Sequence, residues 1–249
     1  MKKIISRIPF LCAALAALLL FPAAALPADA AESPVRAPVL MYHGVSDETW
    51  GLAELFVRVG DMDRQLGYLA EHGYTALTFE ELDRAAEFER PILLTFDDGY
   101  RDNYDHLFPL LQKYNMKATL FVITGDIGNG DAYLTADMVR EMAASGLVSV
   151  QSHTRTHADL RALSREDLRR ELAGSADDIE ALTGRRPIAL SYPCGHHSAA
   201  VREAAAEVYR YGVTVESRRY ALGSDPLRVG RLRVSRGTAQ ASFAAMAGG

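Results

Sequence analysis

Cysteine is nearly absent. Two cysteines in 249 residues are too few for a disulfide framework, so the fold has to be held by a core. A surplus of positive charge is missing too: 27 Lys and Arg stand against 32 Asp and Glu, a formal net charge of −5, which argues against a nucleic-acid partner. Between Val39 and Phe243 there is no Gly/Ser/Pro-rich linker, internal repeat or low-complexity block, so a string of small modules is excluded. What the chain does have, 49% hydrophobic and 24% charged residues, fits a globular protein and not a disordered or fibrous one.

The apolar run from Pro9 to Ala25 follows Lys2, Lys3 and Arg7 and precedes the small residues Ala28-Asp29-Ala30. A basic start, an apolar run short for a stable membrane span and a small-x-small exit predict a signal peptide over residues 1–30, with a leader at 31–38. The expected location is secreted, periplasmic or associated with the cell envelope. Ala23 to Ala25 offer a second exit, and a retained anchor is the competing reading. Removal of Lys2, Lys3, Arg7 and Asp29 with the signal leaves 219 residues with net charge −7 and one cysteine, Cys194. That acidic balance suits a neutral or cationic substrate.

Residues 39–249 read as one domain, expected to act as a monomer. Candidate strands lie at 39–45, 75–78, 92–96, 118–123, 147–151, 188–192, 213–215 and 232–234. Helical patterns fall between them at 61–72, 79–88, 104–114, 135–145, 165–183 and 199–209. Alternation of this kind marks βα units and a parallel sheet. Ser164 ahead of Glu166 and Asp167, with Gly184 at the far end, punctuates the longest helix. Seven or eight such units favour a closed or nearly closed barrel over an open doubly wound sheet.

Ionisable residues fall where these strands end: His43 after Leu40-Met41-Tyr42, Asp97 and Asp98 after Leu93 to Phe96, His153 after Val148 to Ser152. The Pro193-Cys194-Gly195 turn follows Ala189 to Tyr192. In parallel α/β folds that rim carries the chemistry. Asp97-Asp98-Gly99 alone would be an ordinary turn with a capping aspartate. Behind a buried strand, one carboxylate can bind a cation while its neighbour handles a proton. His153 and His157, four apart, share a face if the segment makes a helical turn. With Asp98 they form an Asp/His/His set suited to Zn²⁺ or a similar divalent ion. His196 and His197 read as a pocket rim, and a Cys194 nucleophile with His196 as base lacks an orienting acid.

These residues resemble the polysaccharide deacetylases, metal-dependent carbohydrate esterases. Thr95-Phe96-Asp97-Asp98-Gly99-Tyr100 is similar to the family's first motif, Ser152-His153-Thr154-Arg155-Thr156-His157 to its second, and Tyr192-Pro193-Cys194-Gly195 to its third. The resemblance implies an irregular (β/α)₇ barrel, with Asp97 as general base and Asp98, His153 and His157 holding a divalent metal, Zn²⁺ first and Co²⁺ or Ni²⁺ as alternatives. The Cys194 N–H would serve the oxyanion, with Tyr192, Pro193 and Tyr100 beside the substrate.

Two positions depart from that pattern. Ser191 stands where many members carry an arginine that orients the base, and no histidine follows His197 to act as general acid. Leu40-Met41-Tyr42-His43-Gly44-Val45 is similar to the early motif of the branch that acts on poly-N-acetylglucosamine, whose motifs are permuted. In a closed barrel the first strand lies beside the last, so His43, protonated, becomes the candidate acid. Gly230-Arg231-Leu232-Arg233-Val234 resembles that branch's late pattern, which makes Arg231 the candidate to orient Asp97. The implied partner is an N-acetylated polysaccharide, poly-N-acetylglucosamine first. Peptidoglycan or chitin-oligomer deacetylation and a non-catalytic sugar-binding barrel are the competing readings. Trp50 and Tyr133 are candidate sugar-stacking residues.

Overall fold

Short runs of aliphatic and β-branched residues become the strands of one parallel sheet. The computed structural model describes residues 36–248; the segment expected to be a signal peptide, 1–30, and residues 31–35 of the expected leader lie outside the described residues. The strands are β1 (Val39–Tyr42), β2 (Thr75–Leu77), β3 (Pro91–Phe96), β4 (Ala118–Val122), β5 (Val148–Ser152), β6 (Ala189–Ser191), β7 (Tyr211–Val213) and β8 (Leu232–Arg233). Their order is β7-β6-β5-β4-β3-β1-β8, with β2 beside the first half of β3. Val229 bridges Val213 in parallel, and three residues later Leu232 pairs with Leu40. The segment that runs into the last strand therefore touches both β7 and β1, closing seven strands into a ring. The fold is an irregular (β/α)₇ barrel, at its thinnest where β5 and β6 share one register pair, Ser152 with Leu190.

Side-chain alternation decides what faces the barrel axis. Val39, Leu93, Phe121, Ala189, Tyr211 and Val213 gather into one buried cluster, the barrel interior. Leu40, Tyr42, Leu94, Phe96, Leu120 and Val122, one residue out of phase, pack instead with the outer helices. At the strand ends, the inward parity of β1, β3 and β6 falls on His43 and Asp97, one residue past β1 and β3, and on Ser191, the last residue of β6. The sequence pattern thus sends polar groups inward at the C-terminal rim. Phe79, Leu82 and Ala85 of the 3₁₀ segment Phe79–Glu87 join the interior cluster.

The outer layer holds α1 (Val59–Glu71), α2 (Phe108–Tyr114), α3 (Ala136–Ala144), α4 (Arg165–Thr183), α5 (Ala199–Ala206) and α6 (Gln240–Ala247). The Ser164 hydroxyl accepts the Asp167 N–H, and Gly184 ends α4 at φ 73°, in keeping with the sequence punctuation. Three expectations are corrected. The 39–45 strand breaks at His43, and Gly44–Val45 pairs with Phe56–Val57, an approach that needs glycine because a Cβ at Gly44 would meet the Phe56 ring at 2.3 Å. The 79–88 helix is 3₁₀, opened by a Thr78/Glu81 capping box. The 104–114 helix begins as a π turn over Asn103–Leu107. Helix α6 comes in addition to the expected elements; Gln240–Ala247 is almost uniformly apolar and so carries no amphipathic signal.

Candidate active site

The floor of the site is an ion pair brought together by barrel closure. Arg231 follows the bridging Val229 by two residues and directly precedes β8, and its side chain is fully buried. Its guanidinium grips Asp97 with two parallel bonds, Nη1 to Oδ1 and Nη2 to Oδ2, each 2.7 Å. The remaining N–H groups reach the Thr214 carbonyl (3.1 Å), Thr95 Oγ1 (3.2 Å) and Ser191 Oγ (3.1 Å). All five guanidinium donors are thus used, as a buried arginine requires. Ser191 also donates to Asp97 Oδ2 at 3.2 Å. Burial alone would raise the Asp97 pKa, but the Arg231 charge and hydrogen bonds hold it well below the usual carboxylate range.

Beside this pair stand Asp98, His153 and His157, whose ligand atoms all lie within 4.8 Å of one another. His153 Nε2 is 3.4 Å and His157 Nε2 4.0 Å from Asp98 Oδ1. His153 Nδ1–H donates to the Ser191 carbonyl at 2.7 Å; a carbonyl can only accept, so in the neutral imidazole the lone pair sits on Nε2, which faces the cluster. One carboxylate and two imidazoles, one of them oriented by a backbone carbonyl, fit a divalent metal. Burial works against a charged His153, yet Asp98 and Asp97 push its pKa up. Burial, then His153, pushes His157 down.

The histidines do not meet through a helical turn, as their spacing had suggested. Residues 153–157 form a loop in which Thr154 (φ 67°) and His157 (φ 58°) are left-handed, and the His157 N–H is held by Thr154 Oγ1 at 3.1 Å. The two rings stand 4.7 Å apart. Asp98 is left-handed too, at φ 74°, which turns it away from the inward path of Asp97.

His43 joins the cluster from β1, where Asp97, Asp98, Arg231 and His153 all act on it, but burial is the largest influence and lowers its pKa. That shift favours the neutral imidazole, so the protonated form of His43 is reached at lower pH than for a free histidine. Asn103 Nδ2 donates to the His43 carbonyl at 2.9 Å. Cys194 is exposed and left-handed at φ 54°, in a turn that brings its backbone to the rim. Tyr192 takes no place there: it is fully buried among α4 and α5 side chains, with its hydroxyl on the Leu227 carbonyl. Pro193 is buried as well. Burial and the Asp98 carboxylate raise the Tyr100 phenol, which stays an O–H donor. Trp50 lies edge-on to Tyr100 at 5.7 Å, and Tyr133 lies 5.7 Å from Tyr100. Sequence reasoning missed Thr95, Thr214 and Asn103, whose roles come from tertiary contacts; only Thr95 had a signal, its place beside Asp97.

The profile of the polysaccharide deacetylases matches residues 85–213. YxkH of Bacillus subtilis, named for the polysaccharide deacetylases, is 34% identical over 221 residues, 86% of this chain and 77% of that one. A poly-β-1,6-N-acetyl-D-glucosamine N-deacetylase of Staphylococcus epidermidis is 29% identical over 191 residues, 69% of this chain and 65% of that one. The crystal structure of BC0361, a polysaccharide deacetylase from Bacillus cereus, matches with a TM-score of 0.82 at 33% identity, covering 86% of this chain and 69% of that chain. The chain belongs to the polysaccharide deacetylase family, hydrolases that act on the N-acetyl groups of carbohydrates.

Proposed function

We propose that this protein removes acetyl groups from N-acetylglucosamine units of a polysaccharide, poly-N-acetylglucosamine first, releasing acetate and leaving a free amine. The observation that carries the reading is a buried, arginine-held Asp97 directly beside the Asp98, His153 and His157 cluster. The Staphylococcus epidermidis relative supports the choice of polymer. Asp98, His153 and His157 would hold a divalent metal such as Zn²⁺, whose chemistry when bound would be to lower the pKa of water and to act as a Lewis acid toward a carbonyl. Asp97, kept ionised by Arg231, accepts the proton of the attacking water. The Cys194 N–H donates to the carbonyl oxygen as charge develops there. His43 in its protonated form donates a proton to the departing amine and is left neutral; without that proton an amide nitrogen leaves poorly.

The test is acetate release from β-1,6 and β-1,4 N-acetylglucosamine oligomers, with bound metal measured on the same sample. Faster release from β-1,6 oligomers is expected, and sugar binding without acetate would overturn the enzymatic reading. Asp98→Ala should lose metal and activity together, whereas Asp97→Asn should keep metal and lose turnover. Export behind residues 1–30 belongs to the same reading, supported by Lys2, Lys3, Arg7 and the apolar run; a mature protein that still begins at Met1 would refute cleavage.

A further inference from the structure

We propose that Glu171, on the outer helix α4, is a positioning residue for the metal centre: it holds the Thr154–His157 loop in the shape that turns His157 toward Asp98. The inference rests on reading Asp98, His153 and His157 as metal ligands. Two left-handed non-glycine residues in four make this loop a conformation that needs outside support. Between them, the Arg155 and Thr156 N–H groups both donate to Glu171 Oε2 at 2.9 Å. The Thr156 hydroxyl donates to Oε1 at 2.7 Å. Successive backbone N–H groups converging on one anion form a nest, here filled by a carboxylate from a different element of the fold.

The opposite edge of the loop is held as well. Thr124 N–H and Gly125 N–H donate to the Thr154 and Arg155 carbonyls at 3.1 and 2.8 Å, and a Cβ on Gly125 would meet the Arg155 oxygen at 2.5 Å. Two turns along α4 from Glu171, Asp178 accepts Arg155 Nε at 2.9 Å and the Thr124 hydroxyl at 2.8 Å. The loop therefore has little freedom once Glu171 is in place, and without it the N–H pair loses its acceptor.

The experiment measures Zn²⁺ affinity of the metal-free full chain by competition with a chromophoric chelator, and the visible spectrum of the Co²⁺-loaded protein. Glu171→Ala should weaken Zn²⁺ binding by about 10–100-fold and alter the Co²⁺ bands. Glu171→Gln, which keeps one accepting oxygen, should fall between. Both variants binding within about twofold of the wild type, with an unchanged Co²⁺ spectrum, would overturn the proposal even if their thermal stability falls. If Glu171→Ala does not fold, Glu171→Gln decides by the same criterion. A wild-type chain that binds neither ion would instead sink the metal-site reading, and the proposal with it.

Discussion

Replacing Arg231 with methionine tests the ion pair at the floor of the site. The substitution keeps much of the side-chain volume but leaves the buried Asp97 carboxylate without its bidentate partner. Breaking a buried pair from one side costs about 3–5 kcal/mol, which for a domain of this size lowers Tm by roughly 6–20 °C. Asp97→Asn combined with Arg231→Met removes both charges, so the double variant should be less destabilised than the sum of the singles. In the wild type the folded-state pKa of Asp97 is depressed below its ordinary 3.8, so the pair's contribution is present above that value and is lost as pH falls through the lower folded one. In Arg231→Met, burial is no longer opposed by the guanidinium and raises the carboxyl, so the deficit should narrow from pH 7 to pH 5. Thermal unfolding of the four proteins across that range is the assay. Effects that add within about 0.5 kcal/mol, with a deficit independent of pH, would refute the reasoning.

His43→Ala should lower kcat by about 10²–10⁴-fold while Zn²⁺ content stays at the wild-type level; unchanged turnover would remove His43 from the reaction. Cys194→Ser keeps the backbone N–H and should leave acetate release close to wild type, whereas loss of turnover would revive a role for the thiol. Ser164→Ala should cost about 1 kcal/mol in chemical denaturation, since its hydroxyl accepts the Asp167 N–H at the start of α4; no change would mean the cap contributes nothing there.

Much of the site was legible because strand parity and strand ends are local properties. Leu93 to Phe96 ahead of Asp97, and Val148 to Ser152 ahead of His153, announce both the strands and the rim. Arg231 could be placed only through the family resemblance together with barrel closure, since its partner Asp97 lies 134 positions away. The left-handed turns at Asp98, Thr154 and His157 were hidden because none is glycine, so the usual marker of positive φ was missing. Tyr192 misled for the opposite reason: it sits in a motif, yet its parity sends it outward to α4 and α5. The lowered pKa of His43 comes first from burial, which no residue pattern near it reveals.

Closure through β8 has a consequence for the order in which the protein becomes competent. Asp98, His153 and His157 belong to the middle of the chain, but the guanidinium that holds Asp97 arrives only with residue 231, and β8 pairs with β1 across nearly the whole length of the domain. A chain still emerging from synthesis, or one clipped before β8, would carry the three ligand residues without the partner of its base. On the proposed activity, turnover would then report that both ends have met, and acetate release would measure completed folding.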